Sequence, residues 1–168
     1  MAVETKMMKE YTLATHRRVC VNKKNGEFFV TIEEPNTELK KVTIPAKRWA
    51  ALMLAMTPID ESVTLLQSQQ YVKLCTHFGG GFYVSVTTGF RCVDIRRFYY
   101  DSEKDSNQAT REGIALTLSQ WSLFKKIVQQ IEQDFPELSE IEHCTHRELM
   151  ELFNCKECYP LNILPKPL

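Results

Sequence analysis

The sequence predicts an α+β fold built from two antiparallel β-sheets, each followed by one helix. Apolar and polar residues alternate in several short segments, and two later segments have apolar residues at steps of three and four around a tryptophan. Alternation with period two is typical of strands that bury one face, and steps of three and four are typical of amphipathic helices. The order of strands and then a helix occurs twice along the chain, which indicates an internal duplication.

Two strands and a polar loop are predicted at residues 90–118. Val93 and Ile95 fall on one face of the first strand, because side chains alternate along a strand. Residues 101–110 are almost all polar, and their Ser, Asn and Asp side chains favour local hydrogen bonds over regular structure. We therefore expect residues 101–110 to form a mobile connection to a short apolar strand at residues 114–118.

An amphipathic helix follows this second strand. Ser119 stands where an N-cap side chain would accept hydrogen bonds from free backbone N–H groups. Pro136 ends the pattern, because proline cannot continue a helix. The apolar residues between these points form one stripe that must be buried against another surface: Trp121, Phe124, Val128, Ile131 and Phe135.

These segments resemble the C-terminal domain of the eukaryotic transcriptional coactivator positive cofactor four. The resemblance rests on residues 93–96 (VDIR), 113–116 (GIAL) and 120–121 (QW), and it covers roughly residues 71–138. Domains of that family have a curved sheet of four antiparallel strands backed by one helix, dimerise through their helices and bind single-stranded DNA in channels lined by the strands. The resemblance implies a nuclear protein that binds single-stranded DNA and acts with the transcription machinery.

The first half of the chain has the same order of elements. Pro45 precedes a predicted helix that carries Trp49, and alignment of the two halves places Val42 at Ile114 and Trp49 at Trp121. The predicted strands before that helix are residues 16–21, 28–33 and 39–44, with a hairpin turn at residues 22–26.

The duplication predicts an intramolecular pseudo-dimer that resembles the coactivator homodimer. One unit of this size leaves its helix half covered, so we expect the helices at Trp49 and Trp121 to pack against each other within one chain. The alternative is a single unrelated domain whose core contains both tryptophan stripes, and further homo-oligomerisation is left open. The predicted boundaries are a leader at residues 1–10, a first repeat at 11–67, a second repeat at 68–138 and a tail at 139–168.

Composition and motifs limit the function classes. The 168 residues include 21 Lys and Arg and 21 Asp and Glu, so nucleic-acid binding must come from local patches and not from a field of the whole molecule. No apolar run is long enough to cross a bilayer and no signal peptide is evident, so we expect an intracellular protein with reduced cysteines. A nucleophile elbow, a Walker loop and an HExxH motif are absent, and we expect no enzyme.

Cations and aromatic rings occur together around the strand at residues 90–100. Proteins bind single strands by combining a positive groove with ring faces on which bases stack. The resemblance places Arg96 on a DNA-contacting arginine of the family, Tyr99 on its stacking tryptophan and Arg111 on a basic residue before the next strand. For any one residue the alternative is a solvated arginine or a core tyrosine. The predicted nucleic-acid-binding residues are Phe90, Arg91, Arg96, Arg97, Tyr99 and Arg111, with Arg17, Arg18, Lys23 and Lys24 in the first half.

The sequence departs from the family's pattern in ways that leave the ligand open. A Phe-Lys-Gly-Lys hairpin of the family is replaced by residues 87–90 (TTGF), and Glu33 and Glu34 stand where the second half has Arg96 and Arg97. Acidic residues repel phosphate, so binding is expected to be weaker or one-sided. The alternative function is a protein-interaction module that keeps the fold. DNA and RNA are not distinguished, because stacking platforms and cationic grooves accept either.

The tail contains a candidate zinc site. Zinc takes four nitrogen or sulfur ligands, and a short predicted helix at residues 147–153 could bring a Cys-x-x-Cys pair back to a preceding Cys-Thr-His. The spacing matches no standard finger, and the alternative is reduced thiols, solvent-facing histidines or a redox pair. A zinc here would be structural, because no ligand position is left open. The candidate ligands are Cys144, His146, Cys155 and Cys158.

Overall fold

The computed structural model describes residues 3–141, whose strands form one antiparallel sheet of eight. The elements in chain order are β1 (Lys6–Ala14), β2 (Arg17–Lys24), β3 (Glu27–Glu33), β4 (Lys41–Pro45), α1 (Ala46–Leu54), α2 (Met56–Gln67), β5 (Lys73–His77), β6 (Phe82–Thr87), β7 (Cys92–Asp101), β8 (Ser106–Thr117), α3 (Leu118–Asp134) and a 3₁₀ helix (Pro136–Glu140). The order across the sheet is β1-β2-β3-β4-β8-β7-β6-β5. The predicted α+β class is confirmed, and the strands of both halves belong to one continuous sheet.

The sheet consists of two four-strand meanders that lie side by side. The first half, β1 to β4 with α1 and α2, meets the second half, β5 to β8 with α3, where β4 pairs with β8. Lys41 and Gly113 are the residues paired at this seam. Each meander is followed directly by a helix, as the repeated order of strands and helix in the sequence predicts.

The helices cover one face of the sheet, called here the inner face, and join the two halves through aromatic contacts. Phe124 of α3 packs against both tryptophans, with ring centroids 5.9 Å from Trp49 and 5.6 Å from Trp121. Both tryptophan side chains are only 1% exposed. The predicted contact between the two tryptophan-bearing helices is therefore made through a phenylalanine that lies against both rings.

Each half also supplies a helix that lies over the other half. Helix α3 reaches β1, where the Tyr11 hydroxyl donates a hydrogen bond of 2.7 Å to Asp134. Helix α2 packs over β6, and its Asp60 accepts hydrogen bonds from the indole of Trp121 at 3.2 Å and from Lys125 at 2.8 Å. Because this cover is reciprocal, neither half buries its inner face without the other.

One row of paired residues crosses all eight strands. Directly paired residues of an antiparallel sheet project from the same face, and the neighbours of this row are buried inner-face residues such as Ile32 and Ile95. The row therefore lies on the opposite, outer face. We call it the seam row, and its members from β1 to β5 are Thr12, Arg18, Glu33, Lys41, Gly113, Arg96, Tyr83 and His77.

Two polar segments belong to strands and not to the predicted leader and loop. Residues 6–10 are part of β1, whose Tyr11 and Leu13 are buried, so this part of the predicted leader belongs to the fold. Residues 106–110 are part of β8, which pairs with β7 as far as Asp101 and Ser106. Of the predicted loop at residues 101–110, residues 106–110 are instead strand, and the sequence did not indicate this because they have no apolar face to bury.

The cap of α3 lies two residues before the predicted one. Thr117 is the N-cap, since its hydroxyl accepts a hydrogen bond of 3.2 Å from the Gln120 backbone N–H. The Gln120 side chain in turn accepts a hydrogen bond of 3.1 Å from the Thr117 N–H, which completes a capping box. Ser119 is instead within the first turn of the helix. Two free N–H groups are thus satisfied reciprocally at the point where β8 ends.

Three consecutive glycines before β6 allow a close backbone approach. Gly79, Gly80 and Gly81 have φ angles of 100°, 63° and 81°, which side chains rarely adopt. A Cβ at Gly81 would lie 2.7 Å from the carbonyl oxygen of Phe98. The run serves packing between β6 and β7 and does not form a phosphate loop.

Candidate nucleic-acid interface

Arg96 is an ordered cation on the outer face beside the seam. Its Nε and Nη2 donate to the two carboxylate oxygens of Asp94 at 3.1 and 3.2 Å, and its Nη1 donates to the Thr110 carbonyl at 2.9 Å. The side chain lies over Gly113, where a Cβ would come within 2.7 Å of it. Since a guanidinium has five N–H donors, these bonds fix Arg96 and still leave donors for a phosphate.

Arg97 projects from the inner face and serves a different region. Its guanidinium lies 5.5 Å from the centre of the buried Phe82 ring, and its Nη1 is 3.5 Å from Glu112. It lines a cleft of about 800 Å³ between the halves, together with Phe28, Phe29, Lys47, Arg48, Phe82 and Glu112. Because side chains alternate along β7, Arg96 and Arg97 cannot contact the same stretch of one ligand.

The predicted stacking rings lie at opposite ends of β7. Phe90, 67% exposed, is in the turn between β6 and β7, where its N–H donates to the Thr87 carbonyl at 3.1 Å. Tyr99, 51% exposed, is in the β7–β8 hairpin opposite Gln108. A rise of about 3.3 Å per residue separates them by up to about 30 Å. The structure therefore does not bring Phe90 and Tyr99 together.

Arg91 and Arg111 are exposed cations of the second half. Within residues 3–141 neither has a hydrogen bond or an ion pair. Arg91 follows Phe90 at the β6–β7 turn, and Arg111 lies on β8 beside the bulge in β7. Both side chains are thus available to a negatively charged ligand.

The predicted cations of the first half are held mainly within the fold. Arg18 donates to Glu33 at 2.9 Å and to Glu10 at 3.0 Å. Arg17 spans the seam and donates to the Ala115 carbonyl at 2.6 Å and to the Gln120 side chain at 3.0 Å. Both guanidiniums are thereby occupied by partners of the protein itself.

The two lysines of this half differ from each other. Lys23 lies 5.0 Å from the centre of the Phe28 ring, whereas Lys24 is exposed at the end of β2. Of the four predicted cations in the first half, Lys24 is the one that faces solvent without such a contact among the described residues.

An aromatic cluster on the outer face was missed by the sequence interpretation. The centroid of the Tyr83 ring lies 4.7 Å from that of His77 and 4.9 Å from that of Phe98. The Tyr83 hydroxyl accepts a hydrogen bond of 3.3 Å from the Asn107 side chain. Burial lowers the pKa of His77, and the charge of Arg48 lowers it further. The Nε2 atom of His77 accepts a hydrogen bond of 3.2 Å from the Gly81 N–H. The alternation in residues 82–86 (FYVSV) predicts that Tyr83 faces away from the core, and the cluster could have been inferred from this.

The candidate zinc ligands Cys144, His146, Cys155 and Cys158 lie outside the described residues, so the zinc site stays a prediction. Within residues 3–141 no group of three histidine, cysteine or acidic side chains is placed to hold a metal ion. In the same part of the chain, no helix combines the length and apolarity that crossing a membrane requires.

A family comparison falls on the half that carries these exposed cations and rings. Residues 84–127 match the model of the family described as Transcriptional Coactivator p15 (PC4). The matched segment begins in β6, includes β7 and β8 and ends within α3. No curated protein and no solved structure matches the chain significantly. The resemblance seen in the sequence is thereby confirmed, and residues 84–127 of this chain form a PC4-like segment.

Proposed function

We propose that the protein binds single-stranded DNA through the outer face of its second half, as a non-enzymatic, coactivator-like protein that acts with the transcription machinery in the nucleus. The observation that carries the proposal is that the family match falls on the half whose outer face combines Arg96 with the Tyr83 ring cluster. Ordered cations hold phosphates and aromatic rings stack bases, so this combination fits a single strand.

The binding is proposed to be one-sided. In the first half the outer face carries Glu10 and Glu33, which both neutralise Arg18, and Glu33 also lies near Lys41. In the second half one acid of this region, Asp94, pairs with Arg96, whereas two acids pair with Arg18. A phosphate chain therefore gains more from the second half than from the first.

The two halves are proposed to be tandem repeats arranged as an intramolecular pseudo-dimer. The offset of 72 residues that aligns Val42 with Ile114 also makes Lys41 equivalent to Gly113. In an isologous interface, equivalent residues meet at the twofold axis. The pairing of Lys41 with Gly113 at the seam, and the reciprocal cover by α2 and α3, support this arrangement.

An anisotropy titration with a labelled single-stranded oligonucleotide tests the proposed function. We expect salt-sensitive binding, tighter than to the duplex of the same sequence, and a shallower salt dependence when Arg91 and Arg96 are both replaced by Ala. Arg18→Ala is the matched control, because its cation is paired inside the fold. Binding that is absent, or that is unaffected by the double replacement, would overturn the proposal. The same titration with RNA of the same sequence determines the sugar preference.

The second candidate function is a protein-interaction module. The equal numbers of acidic and basic residues and the acid in the seam row, Glu33, favour it. The same titration separates the two candidates, since an interaction module would show no salt-sensitive affinity for oligonucleotides. For the tail, metal analysis of protein purified without chelator is expected to show one zinc per chain, and its absence would end the zinc prediction.

A further inference from the structure

The cleft between the two halves lies beyond the point where their strands pair. Within the described residues, β4 and β8 pair only at Lys41 and Gly113. Thr43 and Pro45, which follow on β4, and Glu112, which precedes Gly113 on β8, line the cleft together with the first turn of α1. Its volume of about 800 Å³ lies within the range of about 300–1,000 Å³ that is typical of small-molecule sites.

A buried arginine forms part of the cleft wall. Arg48 of α1 lines the cleft and is 3% exposed. A Cβ at Gly79 would overlap the Arg48 guanidinium, and a Cβ at Gly80 would lie 3.4 Å from its Nε. The two glycines therefore leave the space in which this guanidinium lies. Since a planar guanidinium matches carboxylate and phosphate groups, the backbone here positions a cation suited to an anionic ligand.

Two further cations and a helix end make the cleft positive. Lys47 of α1 and Arg97 of β7 line it beside Arg48, and the acids of its wall are Glu27 and Glu112. Three cations and two acids leave one net positive charge. Among the described residues no side chain caps the N-terminus of α1, and its first turn carries no acid. The positive end of the helix dipole therefore adds to the charge of the cleft.

Aromatic rings supply much of the remaining wall. Phe28, Phe29 and Phe82 line the cleft. Phe82 is 4% exposed, and the Arg97 guanidinium lies 5.5 Å from the centre of its ring. The ring centroids of Phe28 and Phe135 are 5.9 Å apart. Cations beside packed rings suit a ligand that has a charged end and an apolar body.

We propose that this cleft binds a small organic anion, a carboxylate or phosphate carried on an apolar, ring-sized body. The anionic group lies near Lys47, Arg48 and the first turn of α1, and the apolar body lies against the phenylalanine rings. The site is separate from the proposed nucleic-acid face, because Arg96 and Arg97 project from opposite faces of the sheet. Both halves contribute to the wall, so a bound ligand stabilises their contact.

A fluorescence titration with anilinonaphthalene sulfonate tests the site, because this probe combines an anionic group with apolar rings. We expect saturable binding of one probe per chain. Phenyl phosphate and benzoate are expected to displace the probe, whereas neutral benzyl alcohol at the same concentration is not. Inorganic phosphate has no apolar body and is expected to displace the probe more weakly than phenyl phosphate does.

Charge-removing variants locate the site. Lys47→Ala and Arg97→Ala are each expected to weaken probe binding about 10-fold, because each removes a cation from the cleft wall. Lys126→Ala, which removes an exposed lysine of α3, is the matched control and is expected to keep the affinity. Phenyl phosphate is expected to raise the thermal unfolding midpoint of the unaltered protein and to raise that of Lys47→Ala less.

Three results would overturn this inference: no binding of the probe, binding of many probes per chain, or equal affinity of the unaltered protein and both cleft variants. Displacement of the probe by a single-stranded oligonucleotide would also overturn it, because the cleft would then belong to the nucleic-acid face. A failure of the oligonucleotide titration concerns the proposed function alone, since the probe is measured without nucleic acid.

Discussion

The two halves of the sheet have the same strand order and opposite surface chemistry. Counted outward from the seam, the first half presents Lys41, Glu33 and Arg18, whereas the second half presents Gly113, Arg96 and Tyr83. The first set is a chain of ion pairs, with Glu33 accepting from Arg18 at 2.9 Å and lying 3.7 Å from Lys41. The second set is a cation between a glycine and an aromatic ring.

The same backbone arrangement thus carries the proposed binding face in one half and a face of paired charges in the other. Charges that satisfy each other contribute little to a ligand, because a phosphate must first displace the internal partner. A ring has no ion-pair partner to lose, and a ring face that is open to solvent can stack a base. In the half with the family match Arg96 is paired with one acid, whereas Arg18 of the other half is paired with two.

The largest expected effect concerns the packing that unites the halves. Phe124→Ala removes a fully buried ring that contacts both tryptophans, and we expect the free energy of unfolding to fall by about 3–5 kcal/mol in denaturant titrations. Leu123→Ala, on the exposed side of the same helix, is the control, with a change below about 1 kcal/mol. Two separate unfolding transitions of the unaltered protein would contradict the reciprocal cover.

A smaller loss is expected when the cation that spans the seam is removed. Arg17→Ala leaves the Ala115 carbonyl and the Gln120 side chain without their charged donor, and we expect the unfolding free energy to fall by about 1.5–3 kcal/mol. Arg17→Lys is not expected to restore it, because an ammonium lacks the planar fork. Arg111→Ala, an exposed replacement, is the control. Full stability of Arg17→Ala in a chemical melt would show that the seam does not depend on this contact.

Removing the acid that pairs with Arg18 on the first half is expected to change the affinity for a single strand modestly. Glu33→Gln removes the carboxylate that holds Arg18 and lies near Lys41, so the first half gains cations for phosphate. We expect the logarithm of the affinity for a single strand to depend more steeply on salt, by about 0.7 per added contact. Glu38→Gln changes the net charge equally at an exposed loop position. If both variants give the same gain, the effect is one of net charge and not of the seam row.

The smallest expected effect is on how the free energy of unfolding depends on pH, through the contact of Asp60 in α2 with α3. The hydrogen bond from Lys125, and next that from Trp121, lowers the pKa of Asp60 below its ordinary value of about 3.9. A lowered pKa stabilises the fold fully above the ordinary value, and that stabilisation is lost as the pH falls through the folded-state pKa.

Asp60→Asn is therefore expected to be less stable than the unaltered protein at neutral pH and equally stable in strong acid. Denaturant melts at pH 7 and at about pH 2 measure this, with the neighbouring Glu61→Gln as the control. The effect is small, because the Asp60 side chain is 41% exposed. A deficit of Asp60→Asn that persists unchanged in acid would contradict the assignment.

Elements with a buried face could be predicted from the sequence, and elements without one could not. The apolar stripe that contains Trp121 predicted α3, and the alternation around Val93 predicted β7. Burial of one face imposes the spacing of apolar residues in both elements. The hairpin at residues 106–110 has no buried face and therefore no period. Helix α2 was not predicted, although its Pro58 lies in the first helical turn, where proline is tolerated.

The candidate site was predictable in composition but not in arrangement. Adjacent arginines suggested one cluster, yet alternation separates Arg96 from Arg97 on opposite faces, and this could have been foreseen. The pairing of Arg18 with Glu33 depends on the register between β2 and β3, which the sequence does not contain.

The reciprocal placement of α2 and α3 has a consequence for how the chain can be divided. The exposed connection at residues 68–70 is the covalent link between β5 and the end of α2. A chain cleaved there would yield two fragments, each with an apolar surface shaped for the other. We expect such fragments to be unfolded when separate and to reassemble on mixing, so that the protein would behave as a heterodimer whose subunits happen to be joined.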